Sequence, residues 1–124
     1  RSLISARKCF VETLKSMKLL HEGMYYVLQE WYDYIEEYHS IQCDLIIYLQ
    51  TTPEVAYARI NERSRKEESK ISIEYLKELH KRHEEVFIEK ASLLPAKVMI
   101  IDGNLDKEEI LNEFKKVEDA IFQN

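Results

Sequence analysis

Glycine is scarce in this sequence: Gly23 and Gly103 are the only two glycines among its 124 residues. A phosphate-binding loop of the form G-x-x-x-x-G-K-[ST] requires two closely spaced glycines followed by a lysine. The two glycines lie far apart in the sequence and cannot form that pattern. A glycine-rich phosphate loop is therefore excluded within these residues.

Cysteine and metal-ligand patterns are also sparse. Cys9 and Cys43 are isolated from each other in sequence, which favours two reduced thiols over a disulfide or a metal site. His80 and His83 lie three residues apart on one face of a predicted helix, but charged residues surround them. We therefore expect no metal site formed by this chain.

Long apolar runs are missing too. No run approaches the roughly 20 residues needed to cross a bilayer, and the longest, 45–49, has the length of a strand. The chain starts at Arg1 and shows no signal-peptide pattern. Its net charge of −5 argues against broad contact with nucleic acid, so any anion site must be a local group of arginines and lysines. We expect neither a nucleic acid nor a membrane as a partner.

The composition, with 45% apolar and 33% charged residues, is that of one globular domain of ordinary size. Hydrophobic periodicity predicts a helix over residues 2–20, which Gly23 separates from a second helix over 24–39. Five tyrosines crowd the second helix, and we expect them to form an aromatic core face.

Two short segments predict buried strands. Residues 44–49 and 98–101 are β-branched and nearly all apolar, which is typical of a parallel sheet covered by helices. Caps and periodicity predict three further helices: one beginning at Thr52 and Pro53, one from Ser72 to about 91, and one from the Asp106–Glu109 capping box to 122.

The predicted order is helix, helix, strand, helix, helix, strand, helix. Strands joined by helical crossovers indicate an α/β fold, with a parallel sheet and helices on both faces. Two strands are too few for a self-contained sheet of this kind, because a buried parallel strand needs neighbours and cover. We therefore expect residues 1–124 to be part of a larger domain.

The most informative segment is 57–68, which is rich in arginine. Arg59 and Arg63 are four residues apart and share a helix face, and Arg65 and Lys66 follow where that helix should end. Such a group can surround a polyphosphate, because arginine offers paired donors to phosphate oxygens. The alternative is a solvated helix end whose cations pair with nearby glutamates. Charge alone leaves both interpretations open.

The order of the motifs resembles that of the deoxyribonucleoside kinases, in particular the insect multisubstrate and mitochondrial thymidine kinase branch. The resemblance covers essentially the whole chain. It rests on Arg1-Ser2, on Tyr-Leu-Gln-Thr-Thr-Pro-Glu at 48–54, on Arg-x-Arg-x-Glu-Glu at 63–68, on Tyr-Leu-x-x-Leu-His at 75–80, and on the segments 21–25 and 30–33. It implies a P-loop-kinase-like fold in which residues 1–124 form the C-terminal part of a single kinase domain.

The resemblance also implies residues on the nucleoside side. Arg1 would be a catalytic residue near the 5′-hydroxyl and the transferred phosphoryl group. Phe10 would stack on the nucleobase, although it could equally be plain core. Ala6 takes a position where relatives that prefer deoxycytidine or purines commonly have aspartate, and Leu14 would line the base pocket. Glu68 would bind the sugar 3′-hydroxyl, with a salt bridge to a neighbouring arginine as the alternative.

On the donor side, the resemblance implies that Arg59, Arg63 and Arg65 form a lid over the ATP phosphates. Arg63 and Arg65 would act in catalysis, and Arg59 would also lie near the adenine. Asp102 and Asn104 would lie beside the adenine, mainly through backbone atoms. We call residues 59–68 the lid.

The implied activity is ATP-dependent phosphorylation of deoxyribonucleosides at the 5′-hydroxyl, leaning toward thymidine and other pyrimidines. ATP and Mg²⁺ would be bound mainly by an N-terminal half that these residues do not contain, so we expect the chain alone to be inactive. The resemblance further implies a homodimer through the helices at 2–20 and 24–39, in the cytoplasm or the mitochondrion.

Two alternatives to this activity remain. One is a structural protein resembling the accessory subunit of respiratory complex I that is similar to this family, and the other is a nucleoside monophosphate kinase. The intact lid disfavours the first, because a structural subunit need not retain it. The match around Phe10 and Trp31 disfavours the second.

Overall fold

The computed structural model describes residues 2–39, 42–63, 65–68 and 70–122. Its sheet has two parallel strands, β1 (Leu45–Gln50) and β2 (Lys97–Asp102). They pair in continuous register, from Leu45 opposite Lys97 to Gln50 opposite Asp102. The predicted parallel α/β arrangement is confirmed. Compared with the predicted ranges, β1 is shifted by one residue and β2 is one residue longer at each end.

The described residues form five helices. They are α1 (residues 3–16), α2 (Glu22–Tyr38), α3 (Pro53–Arg63), α4 (residues 73–89) and α5 (Lys107–Phe122). Short 3₁₀ turns follow α3 at Lys66–Glu68 and α4 at Ala91–Leu93. Within α1 and α4, the segments Ala6–Val11 and Glu85–Glu89 are π-helical.

The end of α1 differs from the prediction. The helix ends at Ser16 rather than near residue 20, and Lys18 takes a left-handed conformation with φ of 57°. Lys18 N donates to Lys15 O at 3.0 Å and Leu19 N donates to Leu14 O at 2.8 Å, which is the bonding pattern of a Schellman motif. A lysine therefore takes the position that glycine usually fills. The apolar periodicity continues beyond the residue where α1 ends, so it predicted a helix that was too long.

The sequence predicted that Gly23 separates two helices, but Gly23 does not end a helix. It lies in the first turn of α2, where Gly23 N donates to Nδ1 of His21 at 3.2 Å. His21 is therefore the N-cap of α2. By contrast, the predicted caps of α4 and α5 are confirmed: Ser72 Oγ accepts from Tyr75 N, and Asp106 exchanges hydrogen bonds with Glu109.

The main cluster of buried side chains contains two residues of β1 that lie on one face of the sheet. Ile46 and Tyr48 of β1 pack there against Cys9 of α1 and against Val86 and Phe87 of α4. The two π-helical segments therefore meet in this core, since each supplies buried side chains. The fifth helix packs against β2. Burying these apolar side chains fixes α1 and α4 relative to the strands.

The expectation of an aromatic core face on α2 is wrong. The helix has no buried residue, and Tyr26, Trp31, Tyr34 and Tyr38 are exposed. Of the five tyrosines, only Tyr25 and Tyr32 are half-buried. One link of α2 to α1 is polar and comes from Arg7, which bonds Gln29, Asp33 and Glu36 at 3.0, 2.6 and 2.9 Å.

No helix within the described ranges is both long enough and apolar enough to cross a bilayer.

The two cysteines should differ sharply in reactivity. Cys9 is fully buried, and burial raises the pKa of its thiol to about 12, whereas the side chain of Cys43 is partly exposed. Only the thiolate is nucleophilic, so iodoacetamide at about pH 8 should modify Cys43 well before Cys9 in the native protein. Peptide mass spectrometry over a time course measures both rates. In denaturant the rates should converge; equal rates in the native protein would contradict this packing.

Candidate functional site

The carboxyl ends of the two strands meet at one edge of the sheet, where ligands bind in open α/β folds. Gly103 N donates to Gln50 O at 2.7 Å, so the chain leaving β2 lies against the chain leaving β1. Asn104 Oδ1 accepts from Thr52 N at 2.9 Å and from Thr52 Oγ1 at 3.1 Å. These bonds attach the Asp102–Leu105 loop, which follows β2, to the start of α3.

Gly103 is required by this close approach rather than by an unusual backbone angle. A Cβ atom at this position would lie 2.1 Å from Thr51 Oγ1, 3.0 Å from Gln50 O and 3.1 Å from Leu49 Cγ. The threonine hydroxyl could rotate away, but the carbonyl belongs to the backbone of β1. The absence of a side chain therefore lets the loop bond directly to the end of the neighbouring strand.

Arg59 links the lid to this loop. Its Nη1 donates to Gly103 O at 2.5 Å, and its Nη2 donates to Leu105 O at 3.0 Å and more weakly to Asn104 O at 3.4 Å. The guanidinium therefore binds successive carbonyls of the loop expected to lie beside adenine. The sequence predicted both the arginine and the loop, and the structure brings them into contact.

Arg63 pairs with Glu68 at the other end of the lid. Arg63 Nε donates to Glu68 Oε2 at 3.0 Å, and Nη2 lies 2.7 Å from both carboxylate oxygens. Arg65 Nη1 is 4.0 Å from Glu68 Oε1. The salt bridge that the sequence left as the alternative for Glu68 is therefore present, and the sugar-binding role remains a prediction.

The nucleoside-side residues lie on α1. Ala6 and Phe10 belong to its π-helical segment, and Leu14 follows in the next turn. Phe10 packs partly against the core, with its ring edge-on to His83 at 5.6 Å. π-Helical segments occur often at functional sites, and periodicity cannot reveal them from sequence. Arg1 lies outside the described residues.

Phe10 also lines a cavity of about 210 Å³, together with residues at the end of β1, the start of α3 and the middle of α4. Pro53, Ala56 and Leu79 are among the other lining residues. A partly buried ring that faces a cavity can serve as core and as a stacking surface together. The two interpretations of Phe10 are therefore compatible in this packing.

One polar cluster was missed by the sequence reasoning. Glu84 of α4 accepts from Tyr48 Oη at 2.8 Å and from Gln50 Nε2 at 2.9 and 2.8 Å. Burial and the hydrogen bond to Glu84 raise the pKa of Tyr48, so the phenol stays a neutral donor. The cluster fixes α4 to the carboxyl end of β1. The only sequence signal was a glutamine at the end of an apolar strand.

Among the described residues, the acidic side chains do not form a cluster that would hold a metal ion without further ligands. No group of three or more histidine, cysteine, aspartate or glutamate side chains in this part of the chain could hold a metal ion. In the lid, the Glu68 carboxylate is engaged by Arg63. The side chains of Arg65 and Arg63 are 62% and 48% exposed, so both guanidinium groups are accessible from solvent.

A parallel α/β fold with arginines at the carboxyl ends of its strands is an arrangement that can bind phosphate groups. Comparison with known proteins narrows the class of protein. The family model for deoxynucleoside kinases matches residues 1–124. The chain therefore belongs to the deoxynucleoside kinase family.

Relatives with several nucleoside specificities match the chain. Human mitochondrial thymidine kinase 2 is 42% identical over 124 residues, which covers 98% of this chain and 46% of that protein. Human deoxycytidine kinase is 40% identical over 86 residues, covering 68% and 33% of the two chains. Mitochondrial deoxyguanosine kinase of Xenopus laevis is 36% identical over 94 residues, covering 74% and 36%. The chain spans less than half the length of these relatives.

Substitution of the two glycines should separate close approach from helix propensity. Gly103→Ala should destabilise the protein by about 1–3 kcal/mol, because the new methyl group collides with the end of β1. The control Gly23→Ala meets nothing closer than 3.4 Å in the first turn of α2, and it should be neutral or stabilising by up to about 1 kcal/mol. Urea denaturation measures both. Equal changes in the free energy of unfolding for the two variants would show that the loop can accommodate the methyl group without loss of stability.

Proposed function

We propose that this chain supplies the C-terminal part of an ATP-dependent deoxynucleoside kinase, carrying its lid and the base-binding helix for the acceptor. The observation that carries the proposal is the contact of Arg59 with the carbonyls of residues 103–105. It joins the lid to the loop at the carboxyl edge of the sheet, so a nucleotide bound at that edge would meet both.

The proposed reaction is in-line transfer of the γ-phosphoryl group of ATP to the 5′-oxygen of a deoxyribonucleoside. Arg63 and Arg65 would donate hydrogen bonds to the oxygens of the transferring group as negative charge develops on them. Arg59 is committed to the loop, so its role is to hold the base of the lid against the adenine side. Arg1 is proposed as the residue nearest the 5′-hydroxyl.

For the acceptor, we propose a pyrimidine preference that includes thymidine. Ala6 is short and apolar, so it leaves room for a 5-methyl group that an aspartate would crowd. Phe10 would stack on the base, and Leu14 would complete the apolar wall. Sequence similarity to a protein named thymidine kinase 2 supports this preference. The mitochondrion and the cytoplasm are the proposed locations, and two relatives whose names include the word mitochondrial support the first.

A chimera tests the proposal directly. We expect a protein in which this chain replaces the matched region of human thymidine kinase 2 to phosphorylate thymidine in a coupled ATP assay. The 124-residue chain alone should give no turnover above background, because its sequence contains no glycine-rich phosphate loop. An inactive but folded chimera would contradict the proposed activity; turnover by the chain alone would contradict the proposed division of the site.

Variants of the chimera test the residue roles. Arg63→Gln or Arg65→Gln should lower kcat by about 100-fold or more, since each removes a donor to the developing charge. Lys70→Gln, a nearby exposed cation, is the matched control and should change little. Ala6→Asp should shift the ratio of kcat/KM from thymidine toward deoxycytidine by about tenfold, whereas Ala6→Ser should not. Far faster use of deoxyguanosine than of thymidine would contradict the interpretation of Ala6.

We also propose that the full-length protein is a homodimer with α2 at the interface. Trp31, Tyr34 and Tyr38 form an exposed aromatic stripe, with centroids 5.9 and 4.8 Å apart between successive rings. Trp31→Glu in the chimera should convert a dimer to a monomer in sedimentation velocity, because the charge would be buried in the interface. Glu37→Ala, on another side of the helix, is the control. A dimer that survives Trp31→Glu would place the interface elsewhere.

A further inference from the structure

Glu68 occupies the side of Arg63 that would be used for a phosphate group. The carboxylate bonds both Nε and Nη2, with distances of 2.7–3.0 Å. This paired arrangement of parallel N–H groups is the one that arginine presents to two oxygens of either a carboxylate or a phosphate. A phosphate cannot use these donors while Glu68 holds them.

The two partners differ in how firmly the fold holds them. Glu68 ends a 3₁₀ turn in which its own N donates to Arg65 O at 3.0 Å, and its carbonyl accepts from Ile71 N at 3.0 Å. Its side chain is only 20% exposed, whereas the Arg63 side chain is 48% exposed. Glu68 is therefore a fixed anion, and Arg63 can exchange partners by changing the conformation of its own side chain. Half-exposed ion pairs contribute little to stability, so this exchange costs little.

The position of Arg65 supports the same view. Its Nη1 lies 4.0 Å from Glu68 Oε1, so the carboxylate lies between the two outer arginines of the lid. A single negative group between two guanidinium groups is the arrangement that a phosphate bound by the lid would adopt. Arg59 has a different kind of partner, since it binds neutral carbonyls that carry no net charge to compete with an anion.

We propose that Glu68 is a built-in counter-anion of the lid, which binds Arg63 in place of phosphate and must be displaced when the phosphate chain of a nucleotide arrives. The proposal rests on the proposed function in one respect, the identity of the anion as a nucleotide's phosphate. Glu68 then lowers the affinity of the lid for phosphate, and it keeps Arg63 directed toward the site before the nucleotide binds.

The proposal predicts that loss of the Glu68 charge improves a function, the binding of an anion, whereas loss of an ordinary structural salt bridge only lowers stability. Removing the carboxylate charge should tighten anion binding more than general electrostatics explains. Glu67 provides the matched control, because it is the adjacent acid, it is exposed, and its substitution changes the net charge by the same amount. Any difference between Glu68→Gln and Glu67→Gln therefore reports the direct competition at Arg63.

The experiment is a titration of the folded chimera described above with inorganic tripolyphosphate, followed by NMR of the arginine side-chain Nε–H signals. At equal ionic strength, Glu68→Gln should bind tripolyphosphate about threefold more tightly than Glu67→Gln, the factor that an ion pair of this exposure contributes. In the Arg63→Gln background the advantage of Glu68→Gln should vanish, because the competing pair no longer exists. The Arg63 Nε–H signal should shift during the titration of the unsubstituted chimera.

Equal affinities of the two glutamine variants, weaker binding by Glu68→Gln, or no saturable binding by any variant would overturn the proposal. Failure here is distinguishable from failure of the proposed function. An active chimera with equal affinities would leave the kinase activity intact and remove only the competition. Tighter binding by Glu68→Gln together with an inactive chimera would establish the competition in a lid that does not serve a kinase.

Discussion

Parallel hydrogen bonding between β1 and β2 determines where the donor-side residues of the candidate site lie. Because the strands run in the same direction and Gln50 is opposite Asp102, both end at the same edge of the sheet. The segments that follow them begin side by side, and Asn104 can bond the start of α3. Arg59, further along α3, then reaches the loop carbonyls. An antiparallel pair would have placed the two loops at opposite edges.

The three lid arginines differ in how firmly their side chains are bound. Arg59 is bound by backbone carbonyls at the base of the lid, Arg63 by a carboxylate in its middle, and Arg65 is largely exposed. The base of the lid is therefore preorganised, while its outer part remains able to change partners. A chain with a net charge of −5 can still present a local cationic site, because three arginines are concentrated in the lid.

Features encoded by neighbours in sequence were predictable, and features that depend on distant contacts were not. The capping box at Asp106 and the strands follow from local chemistry, and both were found in the sequence. The end of α1 was missed because Lys18 adopts a conformation that sequence rules reserve for glycine. The cluster of Glu84 with Tyr48 joins residues 36 positions apart, and no local pattern marks it. The lid was recognisable from its spacing, but which partner each arginine takes depends on how the turn at 66–68 folds.

The exposure of α2 has an optical consequence. Trp31 is the only tryptophan in the sequence, and 60% of it is accessible to solvent, on a helix that is separate in sequence from the lid. It is flanked by Tyr34 at 5.9 Å between ring centroids. The intrinsic fluorescence of this protein therefore reports on what covers the surface of α2, and its emission should move to shorter wavelength when that surface leaves water. Events at Arg63 will need a label of their own, because the natural chromophore lies on a different helix.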